Sequence, residues 1–133
     1  MKDNPKTIEP IEKGKKPIKP QRILIADDEY LIRWSLSQAL SQQGHEVCSV
    51  QNGKEAMEAI GAKSFDYIIT DLVMPEADGW KVLESARQVQ PQSHVIIITA
   101  HGCEGTREKA EEKGAWAYLE KPYVLDKIKE LLK

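Results

Sequence analysis

The sequence has few cysteines, no long hydrophobic run and almost no net charge, and each of these features excludes a class of protein. Only Cys48 and Cys103 occur among the 133 residues, and neither belongs to a CxxC pair or a His/Cys cluster. We therefore predict two reduced thiols rather than a disulfide framework or a zinc site. The formal net charge of -2 does not favour nucleic acid as a direct partner.

The sequence also lacks the signals of membrane insertion and export. No apolar run approaches the ~20 residues that a membrane-spanning helix needs. The first residues, Met1 to Pro5, contain no apolar core of the kind found in secretory signals. We predict a cytoplasmic protein that makes no contact with the membrane.

Lysine and proline are concentrated at the start of the chain. Residues 1–21 contain six lysines, four prolines and three acidic residues. Such a segment cannot bury enough apolar area to offset the entropy of ordering it, so we predict a flexible, Lys/Pro-rich arm at 1–21. A basic arm that contacts an acidic partner is the less favoured interpretation. The remaining residues, 22–133, suit one domain with one hydrophobic core.

Five short apolar segments alternate with segments of helical periodicity in the rest of the sequence. Strands are predicted at 22–26, 46–50, 65–70, 94–99 and 117–120, and a helix is predicted after each of them. Near-continuous apolar strands are typical of sheets that are covered on both faces. The pattern therefore predicts an α/β fold in which a five-stranded parallel sheet is doubly wound, with helices on both faces.

Four of the five predicted strands carry polar residues at the same end. Asp27 and Asp28 follow the first strand, Asp71 the third and Lys121 the fifth, while Thr99 ends the fourth. Sites in open α/β sheets form beyond the carboxyl ends of the strands, so we expect these side chains to share one cleft. Asp71 carries the most weight, because an unpaired charge at the tip of a buried strand is costly to desolvate.

Three carboxylates in one cleft repel one another unless a cation binds between them. Mg²⁺ prefers oxygen ligands, commonly one or two carboxylates, waters and a phosphate oxygen, so the residue types favour magnesium as a cofactor. Lys121 and Thr99 would supply a positive charge and a neutral donor for the oxygens of a phosphoryl group, and Asp71 would be the nucleophile. Taken singly, the residues have simpler explanations, since an acidic pair can start a helix and Lys121 can pair with Glu120.

Several motifs in this region resemble those of one family. They are Ile23 to Glu29, Asp71 to Pro75, Asp78-Gly79, Thr99 to Gly102, Gly114-Ala115 and Tyr118 to Pro122. With these motifs at matching spacing, the segment from Arg22 to Lys133 resembles the receiver domain of bacterial two-component response regulators. The resemblance implies the flavodoxin-like receiver fold and a phosphoacceptor function in signal transduction.

The resemblance also implies a role for most residues of the cleft. Asp71 would be the modified residue, taking a phosphoryl group from a phosphohistidine on a sensor histidine kinase or a histidine phosphotransfer domain. Asp28 and Asp71 would bind Mg²⁺ directly, Asp27 through a water molecule and Val73 through its backbone carbonyl. Lys121 would contact the phosphoryl oxygens.

A conformational switch is a further implication of the resemblance. Thr99 would move to bond a phosphoryl oxygen, and Tyr118 would change rotamer in response. The signal would thereby reach the surface made by the fourth helix, the fifth strand and the last helix.

The peptide bond before Pro122 is expected to be cis. Trp34 lies about 200° from Ile32 around the first helix, so it is expected to point away from the core, where it could anchor a partner.

The output of the domain is not identified by the sequence. A stand-alone phosphorelay intermediate, a non-catalytic interaction module and a receiver cut from a longer transcriptional regulator are all compatible with it. A downstream output protein is a possible partner, and a weak or phosphorylation-dependent dimer is also compatible with the sequence. An FMN-binding protein of the same fold is disfavoured, because acidic residues 27–29 stand where a phosphate-cradling loop would be needed. The domain would phosphorylate and dephosphorylate itself without being a conventional turnover enzyme, so its status as an enzyme is left open.

Overall fold

The described part of the chain folds as alternating strands and helices. The structure is a computed structural model, and it describes residues 19–100, 102–122 and 124–132. Most of the arm predicted at 1–21 therefore lies outside the described residues. The elements in chain order are β1 Arg22–Ala26, α1 Tyr30–Gln42, β2 Glu46–Val50, α2 Gly53–Ala62, β3 Tyr67–Asp71, α3 Gly79–Val89, β4 His94–Thr99, α4 Thr106–Glu112, β5 Ala117–Glu120 and α5 Val124–Leu131.

The five strands form one parallel sheet in the order β2-β1-β3-β4-β5, which confirms the predicted fold class. Successive side chains of a strand point to opposite faces, so each central strand contributes to two hydrophobic cores. Leu24 packs with α2, α3 and α4 on one face. Ile23 and Ile25 pack with α1 and α5 on the other. The near-continuous apolar strands are thus explained by helices that cover both faces.

The third strand differs from the predicted range at both ends. β3 begins at Tyr67 rather than at residue 65, and it extends to Asp71. The backbone N–H of Phe65 donates a hydrogen bond to Oε1 of Gln90 at 2.7 Å, just beyond the end of α3. The amide nitrogen of the buried Gln90 donates in turn to the carbonyl of Ile60 at 2.8 Å. One glutamine therefore ties the segment before β3 to the two helices that flank it.

Two of the helices are shorter than predicted from the sequence, in which the helical segments run from about Glu104 to Lys113 and from Val124 to Lys133. α4 begins at Thr106 rather than at Glu104, because Gly105 has a φ of 88°, a left-handed conformation that a right-handed helix does not contain. α5 ends at Leu131. Within the described segments, none of the helices is both long enough and apolar enough to cross a membrane.

The loop between β3 and α3 accepts hydrogen bonds from the first residues of two helices. The N–H of Gly79, the first residue of α3, donates to the carbonyl of Leu72 at 2.9 Å. The N–H of Gly53, the first residue of α2, donates to the carbonyl of Pro75 at 3.3 Å. The two residues after Pro75 have φ values of 53° and 83°, which are uncommon for residues other than glycine. The backbone that follows the third strand is therefore held in one defined path.

Candidate functional site

Three carboxylates meet at the carboxyl edge of the sheet, where the sequence predicted them. Asp71 is the last residue of β3, and Asp27 follows the neighbouring strand β1, in which Ala26 pairs with Thr70. Oxygen atoms of Asp27, Asp28 and Asp71 all lie within 4.8 Å of one another. Asp27 and Asp71 are buried, whereas Asp28 is exposed. Two negative charges are thus withdrawn from solvent, which is costly unless a positive charge lies nearby.

Lys121 supplies a positive charge from the far side of the cluster. It follows β5, which is separated from β3 by β4, and its side chain is only 7% exposed. Its Nζ lies 2.9 Å from Oδ2 of Asp27 and 3.1 Å from Oδ2 of Asp71. The peptide bond between Lys121 and Pro122 is cis, as the sequence predicted. Lys121 therefore faces the strand-end carboxylates, and the simpler pairing with Glu120 does not describe it.

A further carboxylate, which the sequence reasoning did not assign to the site, also reaches Lys121. Oε1 of Glu29 lies 2.5 Å from Nζ of the lysine. Glu29 is the residue that precedes α1, but its side chain caps no backbone N–H of that helix. The sequence signal for this contact is only its place in the acidic run with Asp27 and Asp28, which is equally typical of a helix start.

Burial and charge act in opposite directions on the pKa values at this site. Burial lowers the pKa of Lys121, but the adjacent carboxylates of Glu29, Asp27 and Asp71 outweigh this effect and raise its pKa above the ordinary value. Burial raises the pKa of Asp27, and only part of this increase is offset by the backbone N–H of Glu29, 2.9 Å from Oδ1, and by Lys121. The lysine is therefore cationic at neutral pH, while the charge of Asp27 is only partly compensated.

The excess of negative charge makes the cluster a good fit for a divalent cation. Four carboxylates, from Asp27, Asp28, Asp71 and Glu29, surround the ammonium of Lys121 or lie beside it. Oδ2 of Asp27 is buried and accepts no hydrogen bond from the described residues, although the lysine stands at ion-pair distance. Buried polar atoms without a hydrogen-bond partner are rare in folded proteins. A donor set made of carboxylate oxygens suits a hard cation such as Mg²⁺ or Ca²⁺ rather than a softer metal.

Thr99 and Val73 open onto the same cavity, which has a volume of about 350 Å³ and is also lined by Leu72 and Trp80. Thr99 is buried at the end of β4. Val73 is 56% exposed, and its backbone N–H donates to Oδ1 of Asp71 at 3.3 Å. Val73 thus contacts Asp71 through its backbone, and Thr99 ends the strand that pairs with β3 and lines the same cavity as Val73. A metal contact through the carbonyl of Val73 stays a prediction.

Tyr118 lies apart from the carboxylates, on the face of the sheet that α4 covers. Its hydroxyl lies 3.3 Å from Oε2 of Glu120, and the guanidinium of Arg107 lies 4.8 Å from its ring centre. Burial and the charge of Glu120 raise the pKa of Tyr118. The hydroxyl also occupies the space that a side chain at Gly102 would need, since a Cβ there would lie 2.1 Å away. The ring is therefore enclosed by α4 and by the loop that follows β4.

The comparison with known protein families agrees with this fold and site. The family model of the response regulator receiver domain matches residues 23–133, which is most of the chain. The chain therefore belongs to the family of response regulator receiver domains, the phosphorylatable domains of two-component systems. The identification confirms the resemblance that the motifs indicated.

Similar proteins contain this domain in different contexts. The DNA-binding transcriptional regulator NtrC of Escherichia coli (strain K12) is 36% identical over 110 residues, which is 83% of this chain and 24% of the regulator. Sporulation initiation phosphotransferase F of Bacillus subtilis (strain 168) is 29% identical over 113 residues, 85% of this chain and 91% of that protein. This chain thus spans about a quarter of the NtrC relative but most of the phosphotransferase.

A solved structure with a bound ion is also similar. It is the response regulator protein TrrA from Thermotoga maritima in complex with Mg²⁺-BeF, with a TM-score of 0.73 and 31% sequence identity. The match covers 84% of this chain and 95% of that protein.

Proposed function

We propose that this receiver domain accepts a phosphoryl group on Asp71 from the phosphohistidine of a sensor histidine kinase or a histidine phosphotransfer domain, in a Mg²⁺-dependent reaction. The observation that carries the proposal is the buried carboxylate of Asp71, which lies between an acidic cluster and the ammonium of Lys121, 3.1 Å away. A carboxylate can act as a nucleophile towards phosphorus when the charge of the arriving group is neutralised. A non-catalytic interaction module would not need a buried nucleophile with a buried cationic partner.

We assign the cation to the side of Asp71 that faces the other two aspartates. Asp28 and Asp71 would ligate Mg²⁺ directly, Asp27 would act through a water molecule, and Val73 would contribute its backbone carbonyl. When bound, the ion would neutralise the carboxylates and the oxygens of the arriving phosphoryl group. The Mg²⁺ in the Thermotoga complex supports magnesium as the ion.

In the transfer step, a carboxylate oxygen of Asp71 forms a bond to phosphorus while the P–N bond of the phosphohistidine breaks. The electron pair of the broken bond leaves with the imidazole nitrogen, which takes a proton from solvent. Lys121 binds a phosphoryl oxygen through its ammonium, and the hydroxyl of Thr99 donates to another. Both groups are buried, and their interactions with charge are stronger there than in bulk water.

The switch would run from Thr99 to Tyr118 through the loop that follows β4. A threonine hydroxyl drawn towards the phosphoryl group would displace this loop, and Gly102 in the loop lies against the tyrosine hydroxyl. The ring would then change rotamer and alter the face formed by α4, β5 and α5. A downstream output protein, or a second copy in a phosphorylation-dependent dimer, would recognise that face.

Phosphate incorporation tests the proposal. With Mg²⁺ and a small phosphodonor such as acetyl phosphate or phosphoramidate, we expect the intact mass of the protein to increase by one phosphate. Removing the ion with EDTA should prevent the increase, because the carboxylates then repel the donor. A protein that stays unmodified with Mg²⁺, or that is modified equally well in EDTA, would contradict the proposal.

A hydrophobic patch on α1 is suited to the phosphodonor. Tyr30, Leu31 and Trp34 are 65%, 71% and 52% exposed, and Trp34 points away from the core as predicted. Residues three and four positions apart are neighbours on a helix, so these side chains form one surface. Because α1 starts directly after Glu29, this surface borders the cleft. Exposed aromatic residues of this kind are typical of partner anchors.

Replacing Trp34 by alanine should therefore slow phosphoryl transfer from the cognate phosphodonor protein by about tenfold or more, the loss expected for an interface anchor. Labelling by a small donor should be unchanged, because the cleft itself is intact. Trp116→Ala is the matched control, since Trp116 is also exposed, at 44%, but packs beside Tyr67 and His94 at the opposite end of the sheet. An equal loss with both kinds of donor would indicate a folding defect instead.

A further inference from the structure

Glu29 is an exposed acid that contacts a buried cation. Its side chain is 60% exposed, whereas that of Lys121 is 7% exposed, and the two groups meet at 2.5 Å. The contact joins residues 92 positions apart, from the end of β1 and the end of β5. The helix that Glu29 precedes does not use its carboxylate as a cap. Its carboxylate is thus used in a contact with a distant element rather than in starting its own helix.

The ammonium of Lys121 is already surrounded by carboxylate oxygens. A lysine ammonium has three N–H donors. Here it donates hydrogen bonds to Glu29 and Asp71 at 2.5 and 3.1 Å, and Oδ2 of Asp27 stands at ion-pair distance, 2.9 Å away. A phosphoryl group on Asp71 needs one of these positions, so one of the present partners must give way.

The three partners differ in how easily they can leave. Asp27 is fully buried and the side chain of Asp71 is 7% exposed, so each would become an uncompensated buried charge if the lysine were withdrawn. The carboxylate of Glu29 is largely in water and can be rehydrated at little cost. It is therefore the partner that can leave Lys121 at the lowest cost.

We propose that Glu29 is a positioning residue that occupies the place of a phosphoryl oxygen on Lys121 and is displaced when Asp71 is phosphorylated. The inference rests on the proposed phosphoacceptor function. Before transfer, Glu29 holds the ammonium against the cleft. During transfer the P–O bond to Asp71 forms and the donor bond breaks, while the Glu29 carboxylate moves to solvent and a phosphoryl oxygen accepts the lysine hydrogen bond. Glu29 thus competes with the phosphoryl group for Lys121 and repels it.

Beryllofluoride, a stable mimic of the aspartyl phosphoryl group, tests the competition at equilibrium. At saturating Mg²⁺ we expect Glu29→Gln to bind beryllofluoride about three- to fivefold more tightly than the unchanged protein, the range expected for one partly exposed ion pair. The difference should shrink at high salt, which screens exposed charges. Glu104→Gln is the control, because it removes the same charge from an exposed position on the loop after β4 and should change the affinity less than twofold. Unchanged or weaker binding by Glu29→Gln would overturn the inference.

Urea unfolding in EDTA provides a second readout that needs neither ion nor phosphoryl mimic. Glu29→Gln should lower the unfolding midpoint of the unchanged protein but not that of Lys121→Met, because the acid has lost its partner in that background. An equal shift in both backgrounds would show that Glu29 does not act through the lysine. Failure of the proposed function is distinguishable, since the unchanged protein would then neither bind beryllofluoride nor accept phosphate.

Discussion

Replacing Asp71 by asparagine should abolish phosphate incorporation while the protein remains folded. The amide has nearly the same shape as the carboxylate, but its oxygen carries no charge and is a poor nucleophile. The substitution also removes one of the three carboxylates that lie within 4.8 Å of one another, so cation binding should weaken. Intact mass after incubation with Mg²⁺ and a small phosphodonor measures the effect.

A control at the other end of the same strand makes this result specific. Asp66 directly precedes β3, is exposed, and accepts a hydrogen bond from the N–H of Arg22 at 2.8 Å. Asp66→Asn can keep that hydrogen bond and should be labelled like the unchanged protein. Labelling of Asp71→Asn at full stoichiometry would show that another residue is the phosphoacceptor.

Stability separates a chemical loss from a folding defect in this variant. Asp27 and Asp71 are both buried, and their mutual repulsion contributes to the raised pKa of Asp27. Removing the charge of Asp71 relieves this repulsion, and Lys121 keeps Asp27 and Glu29 as partners. We therefore expect the urea midpoint of Asp71→Asn in EDTA to be equal to or above that of the unchanged protein.

Replacing Gly79 by alanine should destabilise the fold and impair the site together. A Cβ at this position would lie 2.2 Å from the carbonyl oxygen of Asp71 and 2.7 Å from the Cα of Leu72. These are backbone atoms and cannot turn aside as a flexible side chain could, so α3 must move away from the end of β3. We expect the free energy of unfolding to fall by about 1–3 kcal/mol, as for other overpacked sites, and labelling of Asp71 to slow.

Gly61 is the matched control for this effect. It lies in α2, is exposed, and has no atom of the described segments within 4 Å of the position of an added Cβ. Alanine there removes backbone entropy from the unfolded chain, so Gly61→Ala should raise the free energy of unfolding by about 0.5–1 kcal/mol without changing labelling. Urea denaturation measures both variants. A Gly79→Ala protein as stable as the Gly61 variant would show that the contact between α3 and β3 is not tight.

Much of the sheet could be predicted because each strand is encoded by a short, contiguous run of residues. The predicted ranges of β1, β2, β4 and β5 agree with the structure, since each is a short run of mainly apolar, often β-branched residues bounded by polar ones or glycine. The cluster of carboxylates at the strand ends followed from the parallel arrangement, because parallel strands bring their carboxyl ends to one edge. The start of β3 was predicted two residues early, because Phe65 is apolar but donates its N–H to a distant glutamine rather than to a strand.

Glu29 shows what could not be predicted. In the sequence it is the last residue of an acidic run before a helix, and such a run is an ordinary feature of helix starts. Its contact with Lys121 depends on where the end of β5 lies relative to the end of β1, with β3 and β4 between them in the sheet. The same holds for the enclosure of Tyr118 by Arg107 and the loop at Gly102. Side-chain contacts between distant elements are set by packing, which no local pattern records.

The sequence by itself determined the alternation of strands and helices, the family, and the residues that would meet at the carboxyl edge. These follow from the periodicity of apolar residues and from short motifs, which are properties of neighbouring positions. Only the tertiary structure decided which carboxylates hold the lysine, which of them are buried, and which one can leave. Those properties depend on the distances between side chains across the sheet and on how much of each side chain is exposed to solvent. The free energy of moving a charge out of water follows from this exposure, which is set only when the elements have packed.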